Sequence, residues 1–457
     1  MKLENYHRIY FVGIGGIGMS ALAQWFVKAG FKVAGYDRVA SEITKNLAKI
    51  GVAVFYDDSE GMIPDEYKLA EDTLVIYTPA IPKSHQGLIY FRNQSFNILK
   101  RSEALGLLVK DKSGIAIAGT HGKTSISSNT AWLLNESCSA FLGGIAKNLQ
   151  SNVIVNPDSE NVVIEADEFD RSFLTLHPSL AVISAIDADH LDIYKDKNEI
   201  VETFYQFIKQ IKNGGILVYK NSLEIDKAIN QDITYYTYSL DADADFYALN
   251  ICAVDGFYEF DLKTPFGIIE AFKLGVPGLY NLENAIAALA MALFSGALPE
   301  ELKEKLASYE GVKRRFDYQI RSEKLVFIDD YAHHPEEIKA CINSIKHLYP
   351  GKTITGIFQP HLFTRTRDFA DEFAKSLSLC DQLLLTNIYP AREEPIKGIT
   401  SEIIFDKIES KQKKLLTYDN LLSQIKNIDT DIIVTMGAGD IDLLVAPIKE
   451  ELLKRNV

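Results

Sequence analysis

Cysteine and basic residues are both scarce in this sequence of 457 residues. The four cysteines (Cys138, Cys252, Cys341 and Cys380) lie far apart and have no metal-ligand spacing, so they predict isolated reduced thiols. Lys and Arg number 48 against 62 Asp and Glu, which gives a net charge of −14. Nucleic acids and anionic membranes attract basic surfaces, so neither is expected as the main partner.

Long apolar runs are also absent. No stretch approaches the roughly 20 residues that a membrane helix needs, so no membrane insertion is expected. The first residues lack the basic-then-apolar pattern of a signal peptide, and the cytoplasm is the expected location. The sequence leaves open whether the protein is a monomer or a dimer.

Short apolar runs instead alternate with helical patterns, which indicates an α/β fold with mostly parallel sheets. Residues 235–271 predict shorter antiparallel strands. The elements fall into three predicted domains, residues 1–107, 108–314 and 315–457. Runs rich in β-branched and aromatic residues predict strands at Ile9–Val12, Val33–Tyr36, Leu74–Thr78, Ile115–Ala118, Val162–Ile164, Ala181–Ile186, Ile216–Tyr219, Val326–Ile328, Ile354–Phe358, Leu383–Thr386 and Ile432–Met436.

A first glycine-rich loop follows the first predicted strand and opens a helix. Gly13, Gly15 and Gly18 match the pattern G-x-G-x-x-G, which lets backbone N–H groups approach a diphosphate at a helix N-terminus. Asp37 ends the next strand, 19 positions after Gly18, where a dinucleotide fold places its ribose-binding acid. Alone, this loop indicates an NAD enzyme, or a strand-to-helix turn without a ligand.

A second phosphate-binding pattern runs from Gly119 to Thr124, again between a strand and a helix. Lys123 offers a positive charge to the β- and γ-phosphates of ATP, and Thr124 offers a hydroxyl to Mg²⁺. The loop departs from the longer G-x-x-x-x-G-K-[ST] pattern because Ile117 stands where that pattern has glycine. Two phosphate loops in one chain suggest a nucleotide-linked substrate plus ATP.

Two acidic segments follow later strands. The first contains Glu165, Asp167, Glu168 and Asp170, whose oxygens suit Mg²⁺, although such a cluster can also be a solvated loop. The second contains His190 between carboxylates, and this histidine either binds a metal, orients a phosphate or is a structural residue.

Polar groups also recur further along the chain. Asn281 and Asn284 are three positions apart at a helix start and share a face, although helix capping alone would explain them. In the third predicted domain, three segments together contain arginine, histidine and carboxylate residues. Arginine side chains are suited to binding phosphates and carboxylates. These segments are 313–317, 329–335 and 359–368.

Taken together and in order, these segments resemble those of the Mur ligases, the ATP-dependent amide ligases of bacterial peptidoglycan synthesis, a process that serves cell shape and division. The resemblance covers nearly the whole chain. It is carried by residues 13–19, 119–124, 165–168, 187–192, 329–335 and 359–361. The chain is most similar to the branch that joins L-alanine to UDP-N-acetylmuramate through an acyl phosphate.

The resemblance implies a three-domain fold, with a Rossmann-like N-terminal domain, a central P-loop-type ATPase domain and a Rossmann-like C-terminal domain that completes the ATP and amino-acid site. It also implies the following ligands. The UDP-sugar would contact Gly15, Gly16, Ile17, Gly18, Met19, Asp37 and Arg101. ATP would contact Gly119, Thr120, His121, Gly122, Lys123, Thr124, Ser125, Asn281, Asn284, Arg315, Asp329 and Tyr331.

For catalysis, the resemblance implies roles for Lys123, His190, His333 and Arg365, with Tyr331, His333 and Arg365 where the amino acid enters. His333 is the candidate for deprotonating the amine. Two Mg²⁺ ions are implied, one bound by Thr124 and the other by Glu165 and His190.

Two positions depart from the family pattern. Leu362 stands where relatives often have arginine, and residues 198–203 have no lysine where several sibling ligases carry a carbamylated one. Alternative functions are a recycling ligase that attaches a tripeptide to the same UDP-sugar, an NAD-dependent dehydrogenase, and an inactive ATP-binding protein with a ligase fold. The recycling ligases usually lack the run at Gly16–Met19.

Overall fold

The structure is a computed structural model that describes residues 3–187, 194, 196–241, 243–391, 393–410, 412–426 and 428–455. Three β-sheets of five, ten and six strands organise these residues, and helices lie between the strands in sequence. The α/β architecture predicted from the alternating pattern is confirmed. No helix in the described part of the chain is long and apolar enough to cross a membrane.

The first sheet contains five parallel strands in the order β3-β2-β1-β4-β5. The chain moves outward from β1 in one direction and then from β4 in the other, so the ends of β1 and β4 border the crevice where such sheets bind ligands. The strands are β1 (Arg8–Val12), β2 (Lys32–Tyr36), β3 (Ala53–Phe55), β4 (Thr73–Tyr77) and β5 (Asn97–Lys100), with helices α1 (Ile17–Lys28), α2 (Glu42–Lys49), α3 (Gln86–Asn93) and α4 (Arg101–Val109).

The second sheet has ten strands in the order β15-β14-β13-β12-β11-β10-β6-β9-β7-β8. Its centre is parallel, and β7 with β8 forms an antiparallel pair. Its strands are β6 (Ser113–Ala118), β7 (Cys138–Ala146), β8 (Ser151–Ile154), β9 (Asn161–Glu165), β10 (Leu180–Ile183), β11 (Ile216–Lys220), β12 (Thr234–Ser239), β13 (Phe246–Val254), β14 (Phe257–Thr264) and β15 (Gly267–Leu274). The helices of this segment are α5 (Lys123–Leu133), α6 (Lys197–Lys209), α7 (Leu279–Phe294) and α8 (Pro299–Ala307).

The third sheet has the order β16-β17-β21-β18-β19-β20, and only the edge strand β16 is antiparallel to its neighbour. Its strands are β16 (Asp317–Arg321), β17 (Val326–Asp330), β18 (Ile354–Phe358), β19 (Gln382–Leu385), β20 (Gln412–Leu415) and β21 (Ile432–Met436). Its helices are α9 (Pro335–Leu348), α10 (Phe363–Asp368), α11 (Ala370–Leu377), α12 (Glu402–Phe405), α13 (Leu421–Ile425) and α14 (Val445–Arg455).

All eleven strands predicted from apolar runs coincide with observed strands. Buried parallel strands are apolar on both faces, as in Ile115–Ala118, where every side chain is fully buried. One prediction is wrong. Strand β12, which begins the segment predicted to be antiparallel, pairs in parallel with both β11 and β13. Its threonine and tyrosine residues favour a strand, but this composition carries no information about the direction of pairing.

By its internal contacts the chain forms two compact units. The first contains Met1–Leu249, Asp261–Phe272 and Asn284–Tyr309, and the second contains Asn250–Phe260, Lys273–Glu283 and Glu310–Val457. The first unit therefore holds the five-stranded sheet and most of the ten-stranded sheet, and the second holds the six-stranded sheet. The domain boundaries after residues 107 and 314 stay predictions.

Candidate functional site

The first glycine-rich loop joins β1 to α1, and Asp37 holds it in place. One carboxylate oxygen of Asp37 accepts the Gly15 N–H at 2.7 Å, and the other accepts the Val39 N–H at 3.1 Å. Asp37 thus braces the loop from the end of β2. The predicted contact of Asp37 with a nucleotide remains a prediction, but its position beside the loop agrees with the sequence interpretation.

Arg101 lies at the other side of the same loop, at the first residue of α4. A Cβ built on Gly18 would be 3.1 Å from both Cδ and Nη1 of Arg101. The guanidinium group therefore lies beside the N-terminal turn of α1, where the helix dipole already favours an anion. The structure brings together the glycine loop and the arginine that were predicted to share one ligand.

A cavity of about 400 Å³ begins at this loop. Gly16, Ile17, Gly18, Met19 and Arg101 line one part of it, and Gly143, Glu165 and Asp167 line another. Apolar side chains of Leu105, Phe141 and Phe173 contribute further to the lining. The first glycine loop and the first acidic segment, which are about 150 positions apart in sequence, therefore face one cavity within one compact unit.

The second phosphate loop joins β6 to α5. Gly119 adopts φ +133°, and a Cβ at this position would lie 2.2 Å from the Ser184 hydroxyl oxygen, so only glycine fits. The Thr120 N–H donates to the Ala185 carbonyl at 3.0 Å, and the Ser184 hydroxyl donates to the His121 carbonyl. The residues after β10 thus hold the backbone of the loop at the N-terminus of α5.

Lys123, the first residue of α5, forms an ion pair with Glu168. Its ammonium group donates to both carboxylate oxygens at 2.9 and 2.7 Å and to the Gly119 carbonyl at 2.8 Å. Burial opposes the charged form of Lys123, but Glu168 and Asp167 together raise its pKa above the usual value. Burial likewise raises the pKa of Glu168, against the effect of Lys123. The bidentate geometry favours an ammonium–carboxylate pair.

Glu165 forms hydrogen bonds with hydroxyl groups of α5. Its carboxylate accepts hydrogen bonds from Thr124 at 2.9 Å, from Ser127 at 3.3 Å and from the Gly143 N–H at 2.8 Å. Parallel pairing of β6 with β9 places Ile117 opposite Glu165, so the carboxylate emerges beside the phosphate loop. Ser125, also in the first turn of α5, is half-buried.

These oxygens fit a magnesium ion, because Mg²⁺ prefers hard oxygen ligands and is usually held by one or two carboxylates together with water and substrate phosphates. Of the residues predicted to hold the two ions, Thr124 and Glu165 are described, and they lie side by side. Within the described ranges, no group of three or more His, Cys, Asp or Glu side chains converges as a metal site. His190, the other predicted ligand, lies outside the described residues.

Three further residues predicted to contact ATP, Asn284, Asn281 and His121, have different neighbours in the structure. A Cβ built on Gly122 would lie 2.9 Å from Asn284 Oδ1, so Asn284 borders the phosphate loop. Asn281 instead donates from its side-chain amide to the Pro277 carbonyl at 2.7 Å. His121 Nε2 lies 3.5 Å from a carboxylate oxygen of Asp187. Asn284 therefore lies beside the phosphate loop within the first compact unit, and the predicted ATP contact of Asn281 stays a prediction.

In the second unit, Arg315, Tyr331 and His333 lie close together. The Arg315 guanidinium is 5.0 Å from the centre of the Tyr331 ring, and the rings of Tyr331 and His333 are 5.1 Å apart. His361 lies 6.0 Å from the His333 ring. Arg365 lies in the short helix α10, which begins soon after His361, and is 9% exposed. The predicted amino-acid site is thus built from residues at the ends of β17 and β18.

Asp329 is embedded in protein contacts. Its carboxylate accepts from the Thr435 hydroxyl at 2.7 Å and from Arg314 Nε at 3.3 Å, and the residue is 2% exposed. Burial raises the pKa of Asp329 to about 6, although Arg314 opposes that shift. These contacts give Asp329 a clear structural role, and its predicted contact with ATP remains a prediction.

Four residues that face these sites were not singled out as site residues from the sequence: Gly143, Glu168, Arg314 and Glu337. Glu168 was visible as part of an acidic cluster, but its pairing with Lys123 depends on contacts 45 positions away. No local sequence pattern marks Gly143 as a site residue, because its role depends on the hydrogen bond from its backbone N–H to Glu165.

Comparison with known proteins agrees with this geometry. Three family models match the chain, namely the Mur ligase family catalytic domain at residues 8–113, the Mur ligase middle domain at residues 117–292 and the Mur ligase glutamate ligase domain at residues 314–439. The chain belongs to the Mur ligase family. The family and the three-domain fold predicted from the sequence are therefore confirmed.

Relatives of this Mur ligase include a UDP-N-acetylmuramate–L-alanine ligase from Parabacteroides distasonis, which is 47% identical over 458 residues, covering 100% of this chain and 99% of the relative. The enzyme of that name from Flavobacterium psychrophilum is 48% identical, with 99% of each chain covered. The crystal structure of UDP-N-acetylmuramate–alanine ligase from Thermotoga maritima has a TM-score of 0.77 and 27% identity, and covers 98% of this chain and 99% of its own.

The fold also matches the MurF ligase of Thermotoga maritima in complex with ADP, with a TM-score of 0.64 at 17% identity, covering 83% of this chain and 95% of that one. At that identity the likeness concerns the fold alone.

Proposed function

We propose that this Mur ligase joins L-alanine to UDP-N-acetylmuramate, with conversion of ATP to ADP and phosphate, in the cytoplasmic synthesis of peptidoglycan precursors. One observation carries the proposal. The cavity that starts at Gly16–Met19 and Arg101 extends to Glu165, whose carboxylate binds Thr124 of the ATP loop. A nucleotide-sugar held by the first loop would thereby direct its carboxylate towards the phosphates held by the second. The names of the full-length relatives support the choice of substrates.

Backbone N–H groups and one guanidinium group are proposed to bind the UDP-sugar. The N–H groups of Gly15–Met19 and the N-terminus of α1 offer donors to the diphosphate, and Arg101 neutralises its charge. Asp37 keeps the loop in this conformation through Gly15. This use of the glycine loop requires no nicotinamide cofactor.

In the first chemical step, a carboxylate oxygen of UDP-N-acetylmuramate attacks the γ-phosphorus of ATP, and the bond to ADP breaks. In this step the Lys123 ammonium group moves from Glu168 towards the transferred phosphoryl group. The N–H groups of residues 119–124 bind the other phosphates. Mg²⁺ ions, held by Thr124 on one side and by Glu165 with His190 on the other, would neutralise charge on the phosphate oxygens. Asn281, Asn284, Arg315, Asp329 and Tyr331 remain proposed ATP contacts.

In the second step, the amine of L-alanine attacks the acyl phosphate, the amide bond forms, and phosphate leaves with the bonding electrons. The ammonium form of alanine must first lose a proton, and His333 is the proposed acceptor. Tyr331 and Arg365 are proposed to receive the amino acid, with the arginine matched to its carboxylate.

Phosphate release tests this function directly. The purified protein is incubated with ATP, Mg²⁺ and UDP-N-acetylmuramate, and then with single amino acids or with the tripeptide L-Ala-γ-D-Glu-meso-diaminopimelate. We expect release that depends on both the UDP-sugar and L-alanine, with formation of one amide product by mass spectrometry. Serine and glycine measure the amino-acid preference. Release with the tripeptide but not with alanine would contradict the proposal and indicate the recycling reaction.

A further inference from the structure

Glu337 lies in the first turn of α9, directly after the residues proposed to receive the amino acid. Its Oε2 atom accepts the backbone N–H of His333 at 3.1 Å and that of His334 at 3.3 Å. Its side chain is only 15% exposed. Two backbone donors therefore hold this carboxylate in a defined position at the start of the helix.

The same carboxylate approaches the His333 ring. Nδ1 of His333 lies 3.3 Å from Glu337 Oε2 and 3.0 Å from the Tyr331 carbonyl oxygen. Both neighbours are hydrogen-bond acceptors, so the proton of the neutral ring belongs on Nδ1 and the lone pair on Nε2. A carboxylate that fixes the tautomer of a histidine in this way also stabilises the imidazolium that forms when Nε2 takes a proton.

Other charged and titratable groups surround this pair. The second oxygen of Glu337 lies 3.7 Å from Arg315 Nη1, and the Tyr331 and His361 rings lie 5.1 and 6.0 Å from the His333 ring. Arg314 lies 5.2 Å from the centre of the Tyr331 ring. Glu337 is thus the carboxylate that contacts both the proposed base and Arg315, a proposed ATP contact.

We propose that Glu337 is a positioning residue for amide formation, which keeps the lone pair of His333 on Nε2 so that this atom takes the proton from the ammonium group of the incoming amino acid. The inference rests on the proposed function. Nε2 takes one proton from the ammonium group, and the amine nitrogen then forms the bond to the acyl carbon. Phosphate leaves with the electron pair and carries away the second proton that the nitrogen loses as it becomes the amide. The imidazolium then returns its proton to solvent. Glu337 itself exchanges no proton.

The experiment compares Glu337→Gln with Glu336→Gln. Glutamine at 337 keeps an oxygen that can accept the His333 and His334 N–H groups, so the helix start is preserved, but it removes the negative charge. Glu336 is the neighbouring residue of the same helical turn, is 65% exposed, and pairs with Lys339 at 3.4 Å without an observed contact to His333. The control therefore removes an equal charge from the same turn.

Two nucleophiles separate the chemical steps. L-Alanine needs a base, whereas hydroxylamine is largely unprotonated at neutral pH and traps the acyl phosphate directly. For Glu337→Gln we expect alanine ligation to fall on the order of 10²-fold, with a much smaller loss of hydroxamate formation. The acid limb of the pH profile should move to lower pH by about one unit, because the imidazolium loses its carboxylate. Glu337→Asp should recover part of the rate.

The outcomes are distinct. Equal losses of hydroxamate and alanine product would overturn the positioning role, since they would indicate a defect in ATP binding or folding. A wild-type rate and pH profile in Glu337→Gln would overturn it as well. Wild-type protein that forms neither hydroxamate nor alanine product from UDP-N-acetylmuramate and ATP would instead refute the proposed function.

Discussion

The contact between Gly143 and Glu165 allows a sharp test of the proposed metal site. A Cβ added at Gly143 would lie 2.2 Å from Glu165 Oε1 and 2.5 Å from its Cδ atom. Gly143 is outside the left-handed region of φ, so alanine meets no backbone strain there. Gly143→Ala therefore acts on the carboxylate, which must retreat by about 1 Å to reach van der Waals distance.

That displacement of the Glu165 carboxylate should lower the catalytic rate. It breaks the hydrogen bond from the Gly143 N–H, now 2.8 Å long, and disturbs the one from Thr124. A displacement of about 1 Å in a catalytic group can lower the rate about 10²-fold. We expect kcat for phosphate release to fall by that order. The Mg²⁺ concentration for half-maximal activity should rise about tenfold, which corresponds to about 1.4 kcal/mol.

The assay is a magnesium titration of phosphate release at saturating substrates, followed for wild type, Gly143→Ala and a control, Gly61→Ala. A Cβ added at Gly61 would meet no atom within 4 Å, and the φ angle of this residue is not positive, so alanine is tolerated there. Wild-type kcat and an unchanged magnesium titration in Gly143→Ala would refute the reasoning that Glu165 binds the ion in the observed conformation.

Three other predictions concern charged residues. Lys123→Met removes the ammonium partner of the buried Glu168 carboxylate and should lower the free energy of unfolding by about 3–5 kcal/mol. Glu168→Gln added to it should recover part of this loss in urea unfolding, and equal stability of the two variants would contradict the pairing. Asp37→Ala should raise KM for the UDP-sugar roughly tenfold, with KM for ATP unchanged, because the Gly15 N–H loses its acceptor. The pKa of Asp329, raised to about 6, means that the folded state binds a proton more tightly than the unfolded state. The free energy of unfolding should therefore fall by up to about 3 kcal/mol as pH rises from 4 to above 6. In Asp329→Asn this fall should largely disappear. If the variant keeps the same fall, another group is responsible for it.

Local sequence patterns accounted for eleven of the twenty-one strands that the structure describes and for the position of both glycine-rich loops. Apolar runs mark buried parallel strands because both of their faces are covered, and glycines at a strand-to-helix turn mark places where only glycine fits, as at Gly119. The direction of β12 was not predicted correctly, because residues that favour a strand do so in parallel and antiparallel pairs alike.

The sequence by itself determined the fold class and the family, and it located the two glycine loops, since each of these depends on short segments whose residues are close together in the chain. Only the tertiary structure decided that Glu168 pairs with Lys123, that Asn284 borders the phosphate loop, and that Glu337 contacts His333 on its Nδ1 side. These choices depend on the order of strands and on side-chain direction. The alignment of β6 with β9, for example, brings Glu165 to Thr124 across 41 positions, and a local pattern carries no record of such an alignment.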